Sequence, residues 1–123
     1  MDADSDLIYQ VKVFTRNGDF VDCFGQQGTE QGQLLVPVDA AVDELTGNVA
    51  VCEYHNNRVS IFSPGFSFLY TVGTFGEDIG QFKHPSGVAY LPDGKLAVVD
   101  QGNFRIQVRL PNPPSATQDT KIL

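Results

Sequence analysis

Downstream of Arg58 the chain alternates, with Val59 and Ile61 apolar around Ser60, and downstream of Arg105 it does so again, with Ile106 and Val108 around Gln107. Val11 and Val13 around Lys12 repeat the arrangement 48 residues before Val59 and Ile61. A period of two sends alternate side chains to opposite faces of an extended chain, so each run predicts a strand with one apolar face. No apolar pattern of helical period lasts three turns. Turn chemistry separates the runs: "RNGD" (16–19) and "SPGF" (63–66) occupy equivalent hairpins, as do "LTGN" (45–48) and "PDGK" (92–95). The chain is expected to be all-β.

One internal period accounts for most of it. Phe20, Gly25, Gly28, Gly32, Gln33 and Pro37 align with Phe68, Gly73, Gly76, Gly80, Gln81 and Pro85, each pair 48 apart. Gly47, Val51, Glu53, Asn56 and Arg58 align with Gly94, Val98, Asp100, Asn103 and Arg105 at an offset of 47. The slip of one residue falls at a turn, where length changes cheaply. Four strands per repeat follow, in the complete copy roughly 38–42, 48–53, 58–62 and 68–72. The chain then divides into a disordered N-terminus (1–6), a partial unit with the last two strands (7–33), a complete unit (34–81), a partial unit with the first three strands (82–110) and a flexible Pro-rich tail (111–123).

The stretch "GQFKHPSGVAYLPDGKLAVVDQGNFRIQV", with its Gly-Gln, Pro-x-Gly-Val-Ala, Asp-Gly turn and Asp…Asn-x-Arg-Ile-Gln-Val, resembles an NHL repeat. The resemblance covers about residues 7–109, some two and a quarter repeats. It implies a four-stranded antiparallel blade per repeat and a β-propeller usually closed by about six blades. Three positions depart from the pattern: Asp39 stands where the third copy has Gly87, Glu53 replaces Asp, and Arg109 occupies the apolar place of Phe14 and Phe62. Asp39 suggests drift in an inner strand and Arg109 a weakened third strand.

Both faces of a propeller blade pack on neighbours, so an open array leaves apolar surface uncovered at each end. Nine strands make just over two blades, below the roughly three repeats that usually stand alone. The expectation is a partial propeller that forms part of a longer protein. Self-association supplying the missing blades is the alternative, and a marginal open arc the third possibility.

Fifteen Asp plus Glu against eight Lys plus Arg give a net charge of −7, which repels a nucleic-acid backbone, and the positive residues form no run. The start, "MDADSDLIYQ", has neither a basic nor an apolar leader segment, and no apolar stretch approaches the about 18 residues of a membrane helix. A soluble cytoplasmic setting without membrane attachment is expected. Cys23 and Cys52 lack metal-ligand spacing and are expected as buried or half-buried strand residues.

Glu53, Arg58, Asp100 and Arg105 recur in register and are read as structural, bracketing the loop between the second and third strands of each unit. Tyr54, His55, Gln101 and Phe104 lie in those loops, vary between copies, and are the candidate partner-binding positions. No catalytic, cofactor or metal set emerges. Neither His55 nor His84 has a second His, Cys or carboxylate at helical or hairpin ligand spacing, and no Ser/His/Asp or Cys/His arrangement is spaced for nucleophilic work.

In the resembling family the rim formed by these loops binds partners. The resemblance implies a non-catalytic protein-interaction module, similar to the propellers of tripartite-motif ubiquitin ligases, where a separate RING domain performs catalysis. No RING, B-box or coiled-coil pattern exists in these residues. RNA binding by the rim is the alternative, with Tyr54 and Phe104 as stacking surfaces and the net charge of −7 against it. A remnant of a metal-dependent propeller lyase or hydrolase is the third reading.

Overall fold

The computed structural model describes residues 10–110 and the backbone of Lys121–Ile122. Residues 1–6 of the expected disordered N-terminus, and all of the expected tail apart from that pair, lie outside the described residues. Strands β1 (Val11–Phe14) and β2 (Phe20–Phe24) form a two-stranded sheet, the outer half of a first blade. Strands β5 (Pro37–Val42), β6 (Val49–Glu53), β7 (Arg58–Phe62) and β8 (Phe68–Val72) form a four-stranded antiparallel second blade in sequence order. The third contains β11 (Gly87–Tyr90), β12 (Leu96–Asp100) and β13 (Arg105–Arg109) in the same order. Alternation and turn chemistry thus place the strands of the complete unit to within a residue.

Five strands go beyond the nine expected, in three places. Two connectors each fold into a short parallel pair, β3 (Gln26–Gln27) with β4 (Gln33–Leu34) and β9 (Thr74–Phe75) with β10 (Gln81–Phe82). The third is β14 (Lys121–Ile122), whose backbone pairs antiparallel with Gln107 and Val108 and fills the outermost place of the third blade. That blade is therefore four-stranded, not three-stranded. Arg109 does not weaken β13, which pairs with β12 along all five residues while Arg109 itself is buried.

Period-two alternation directs each face of β6 and β7 to a different neighbour. Ala50, Cys52, Val59, Ile61 and Val72 pack with Val88, Leu96 and Val98 between the second and third blades. Val51 and Phe62 pack between the first and second, against Val11 and Phe24. Each connector adds one fully buried residue to the joint it crosses, Leu34 in the first and Phe82 in the second. Asp39 is a tie between inner strands rather than a sign of drift: its Oδ2 accepts the N–H of Val88 at 3.0 Å.

Cys23 departs from expectation. It is exposed on β2, because its face of the first blade has no described neighbour, whereas Cys52 is buried.

Candidate functional site

Each β6–β7 or β12–β13 loop is held against the connector leading into its blade by one carboxylate. Glu53 Oε1 accepts the Leu35 N–H (3.3 Å) and the Asn56 side-chain amide (2.7 Å), while Oε2 accepts Arg58 Nε (2.9 Å) and the Ser60 hydroxyl. Asp100 does the same one blade on, accepting the Lys83 N–H at 2.8 Å, Asn103 at 3.0 Å, Arg105 at 2.7 Å and Gln107 at 3.1 Å. Both carboxylates are fully buried, and four donors compensate the lost hydration of each. Shortening Glu to Asp leaves the count unchanged because the longer Gln107 replaces Ser60.

The two arginines continue the clamp into the connectors. Arg58 donates to the carbonyls of Thr29, Glu30 and Gln33, and Arg105 to those of Asp78 and Gln81. Asn56 and Asn103 add bonds to the carbonyls of Gly28 and Gly76. Inside each connector Gln33 or Gln81 folds back to accept the N–H of Glu30 or Asp78. A Cβ on Gly28 or Gly76 would lie 1.9 Å from that glutamine oxygen, so the repeated glycine and glutamine require each other. The roles of Ser60, Gln107, Gln33 and Gln81 are missed by sequence reasoning, although the fixed Gly-x4-Gln spacing in both copies carried the signal.

Loops and connectors so joined form one rim of the blade stack. Tyr54 is half-buried and stacks on His84 of the next connector, with centroids 4.6 Å apart and planes 12° from parallel. His55 is exposed, its ring 5.3 Å from Tyr54 and 6.3 Å from His84. Asn57 Oδ1 accepts the His84 N–H at 2.9 Å, tying the second blade to the third. Gln101 is exposed in a 3-10 turn spanning Gln101–Asn103, and Phe104 after it is 96% exposed. The structure thus gathers Tyr54 and His55 with His84 and places Gln101 and Phe104 on the neighbouring loop.

At the opposite end a cavity of about 300 Å³ is lined by Val42, Asp43, Leu45, Tyr90 and Pro92. Its buried Asp43 accepts the Leu45 N–H and the Thr46 hydroxyl and so closes the β5–β6 turn. Among the described residues no three His, Cys, Asp or Glu side chains converge to hold a metal, and no helix is long and apolar enough to cross a membrane.

The family model described as NHL repeat matches residues 82–108. The Xenopus laevis peptidyl-glycine alpha-amidating monooxygenase A is 37% identical over 91 residues, which is 67% of this chain and 9% of that protein. Human NHL repeat-containing protein 3 is 31% identical over 81% of this chain and 31% of its own length. The Drosophila melanogaster protein brain tumor is 29% identical over 86% of this chain and 10% of its own. The chain spans about a tenth of the length of the amidating relatives it matches. With the matched NHL repeat folded as the third blade and the same clamp built into the second, the described residues form neighbouring NHL-type blades of a partial β-propeller.

Proposed function

We propose that this chain is a non-catalytic protein-interaction module whose rim, carrying Tyr54, His55, Gln101 and Phe104, docks a protein partner. One observation carries the reading. The carboxylate, its Asn and its Arg recur in register at Glu53, Asn56 and Arg58 and at Asp100, Asn103 and Arg105, while the loop residues they present change from Tyr54, His55 and Asn57 to Gln101, Gly102 and Phe104. A framework that stays constant beneath changing exposed side chains is the arrangement of a scaffold carrying specificity residues. In its finer form the rim selects the substrate of a tripartite-motif ubiquitin ligase, with catalysis outside these residues. The same reading places the chain in the cytoplasm, where its two free cysteines stay reduced.

A photo-crosslinking residue at His55 or Phe104, compared with one at Val42 near the opposite end, tests this in cells. Protein adducts are expected from the rim positions alone. Equal capture from both ends, or none from the rim, overturns the reading.

The identity to amidating monooxygenases favours a second reading, a stretch of an enzyme's propeller. Stoichiometric zinc or copper in the purified chain would make it the better one.

A further inference from the structure

The rim contains one corner built twice. The connector at 25–32 and the one at 73–80 share their backbone: φ is 89° and 92° at Gly25 and Gly73, 156° at both Gly28 and Gly76, and 85° and 86° at Gly32 and Gly80. The residue closing each corner from the loop side is left-handed in both, with φ of 54° at Asn57 and 57° at Phe104. Gly28 donates to Leu34 O at 3.0 Å and Gly76 to Phe82 O at 3.1 Å.

On this common frame three polar residues of the first corner become apolar in the second. Gln27 is replaced by Phe75, 62% exposed, Gln31 by Ile79, 57% exposed, and Asn57 by Phe104, 96% exposed. The first corner shows that the fold needs none of the three. The residues on either side of Phe104 hold the intervening turn, Asn103 through the Gly76 carbonyl and Arg105 through that of Asp78, which keeps Phe104 beside residues 76–79. Three exposed apolar residues on one corner of the rim, none of them required by the frame, mark a docking surface.

We propose that Phe75, Ile79 and Phe104, edged by Glu77 and Asp78, take a basic peptide segment of a protein partner that carries an aliphatic or aromatic side chain. This rests on the protein-docking reading and gives it a partner chemistry. Two features select a cation. The open faces of Phe104 attract a guanidinium or ammonium group, and the exposed carboxylates of Glu77 and Asp78 flank the patch. Arg105 brings no competing charge, being paired with Asp100 at 2.7 Å, and Lys83 reaches Glu77 only at 3.8 Å. The net charge of −7 adds long-range attraction of the same sign.

The full chain panned against phage-displayed random dodecapeptides is expected to enrich sequences with at least two Lys or Arg around an apolar residue. The enriched peptide, synthesised and titrated by fluorescence anisotropy, should bind at least tenfold more weakly to the variant F75Q/I79Q/F104N, which installs the first corner's own residues. It should also weaken as salt rises from 50 to 300 mM. An acidic or neutral consensus, no enrichment, or unchanged affinity in the triple variant overturns the proposal. Affinity lost in Tyr54→Ala but retained in the triple variant leaves the rim reading standing and sinks this one, and affinity retained in both sinks both.

Discussion

Cys52 sits between the second and third blades, and burial is the main cause that pushes its thiol up to about 12, with the carboxylates of Asp39 and Glu53 adding to the shift and the Gly87 N–H opposing it. The folded pKa lies above the unfolded one, so the folded chain keeps a proton that the unfolded chain releases. The resulting stability is present below about pH 9 and is lost as pH rises toward 12. Burial raises Tyr70 and Tyr90 in the same sense. The Cys52 share is therefore read as a difference: Cys52→Ala should show a smaller drop in urea midpoint between pH 8.5 and 10.5 than the parent chain. Exposed Cys23 should react with a thiol reagent at pH 8 within minutes, and Cys52 only on unfolding. Phe104 is the opposite kind of residue, with a left-handed backbone and a ring in water. Asn tolerates that conformation far better, so Phe104→Asn should raise unfolding stability by about 1 kcal/mol. A gain in stability with a loss of peptide binding is the signature of a residue kept for contact rather than for folding.

Within a blade the clamp is what the repeat conserves in space, and its parts were unequally legible. The pairing of Glu53 with Arg58 and of Asp100 with Arg105 is visible as a recurring acid and arginine five residues apart. Ser60 and Gln107 fall in register between the apolar residues of their strands but differ in size and type, and only the structure shows that both donate to the carboxylate, on whose face alternation puts them. The two-residue strands β3, β4, β9 and β10 are too short for any period to show. Strand β14 lies beyond a Pro-rich stretch, and only its pairing with Gln107 and Val108 reveals it. Energetically the clamp acts as a unit. Arg58→Ala strips the cation from a carboxylate with no exposure and should lower stability by about 3 kcal/mol in urea denaturation. The double variant Glu53→Ala/Arg58→Ala should lose clearly less than the sum of the two single changes.

At the scale of the whole molecule the same aromatic pair occurs in two environments, which turns the chain into its own control. Phe62 and Phe68 meet edge-on at 5.9 Å and 76°, and Phe14 and Phe20 meet at the same distance and angle one blade earlier. Phe24 of the first blade covers the former pair, lying 4.7 Å from Phe62 and stacked on Phe66 at 5.0 Å. Phe14 and Phe20 remain 54% and 60% exposed, whereas Phe62 is 2% exposed. Position within the blade, ring geometry and residue type are thus constant, and the neighbour differs. Removing a covered ring forfeits its transfer energy and leaves a cavity, so Phe62→Ala should destabilise by about 3–5 kcal/mol. Removing an uncovered ring forfeits little, and Phe14→Ala should cost under about 1 kcal/mol. The comparison of urea midpoints at several protein concentrations reads the state of the end face in solution. If Phe14→Ala costs as much as Phe62→Ala, and more at high concentration than at low, a second copy covers the pair and the blades continue between chains.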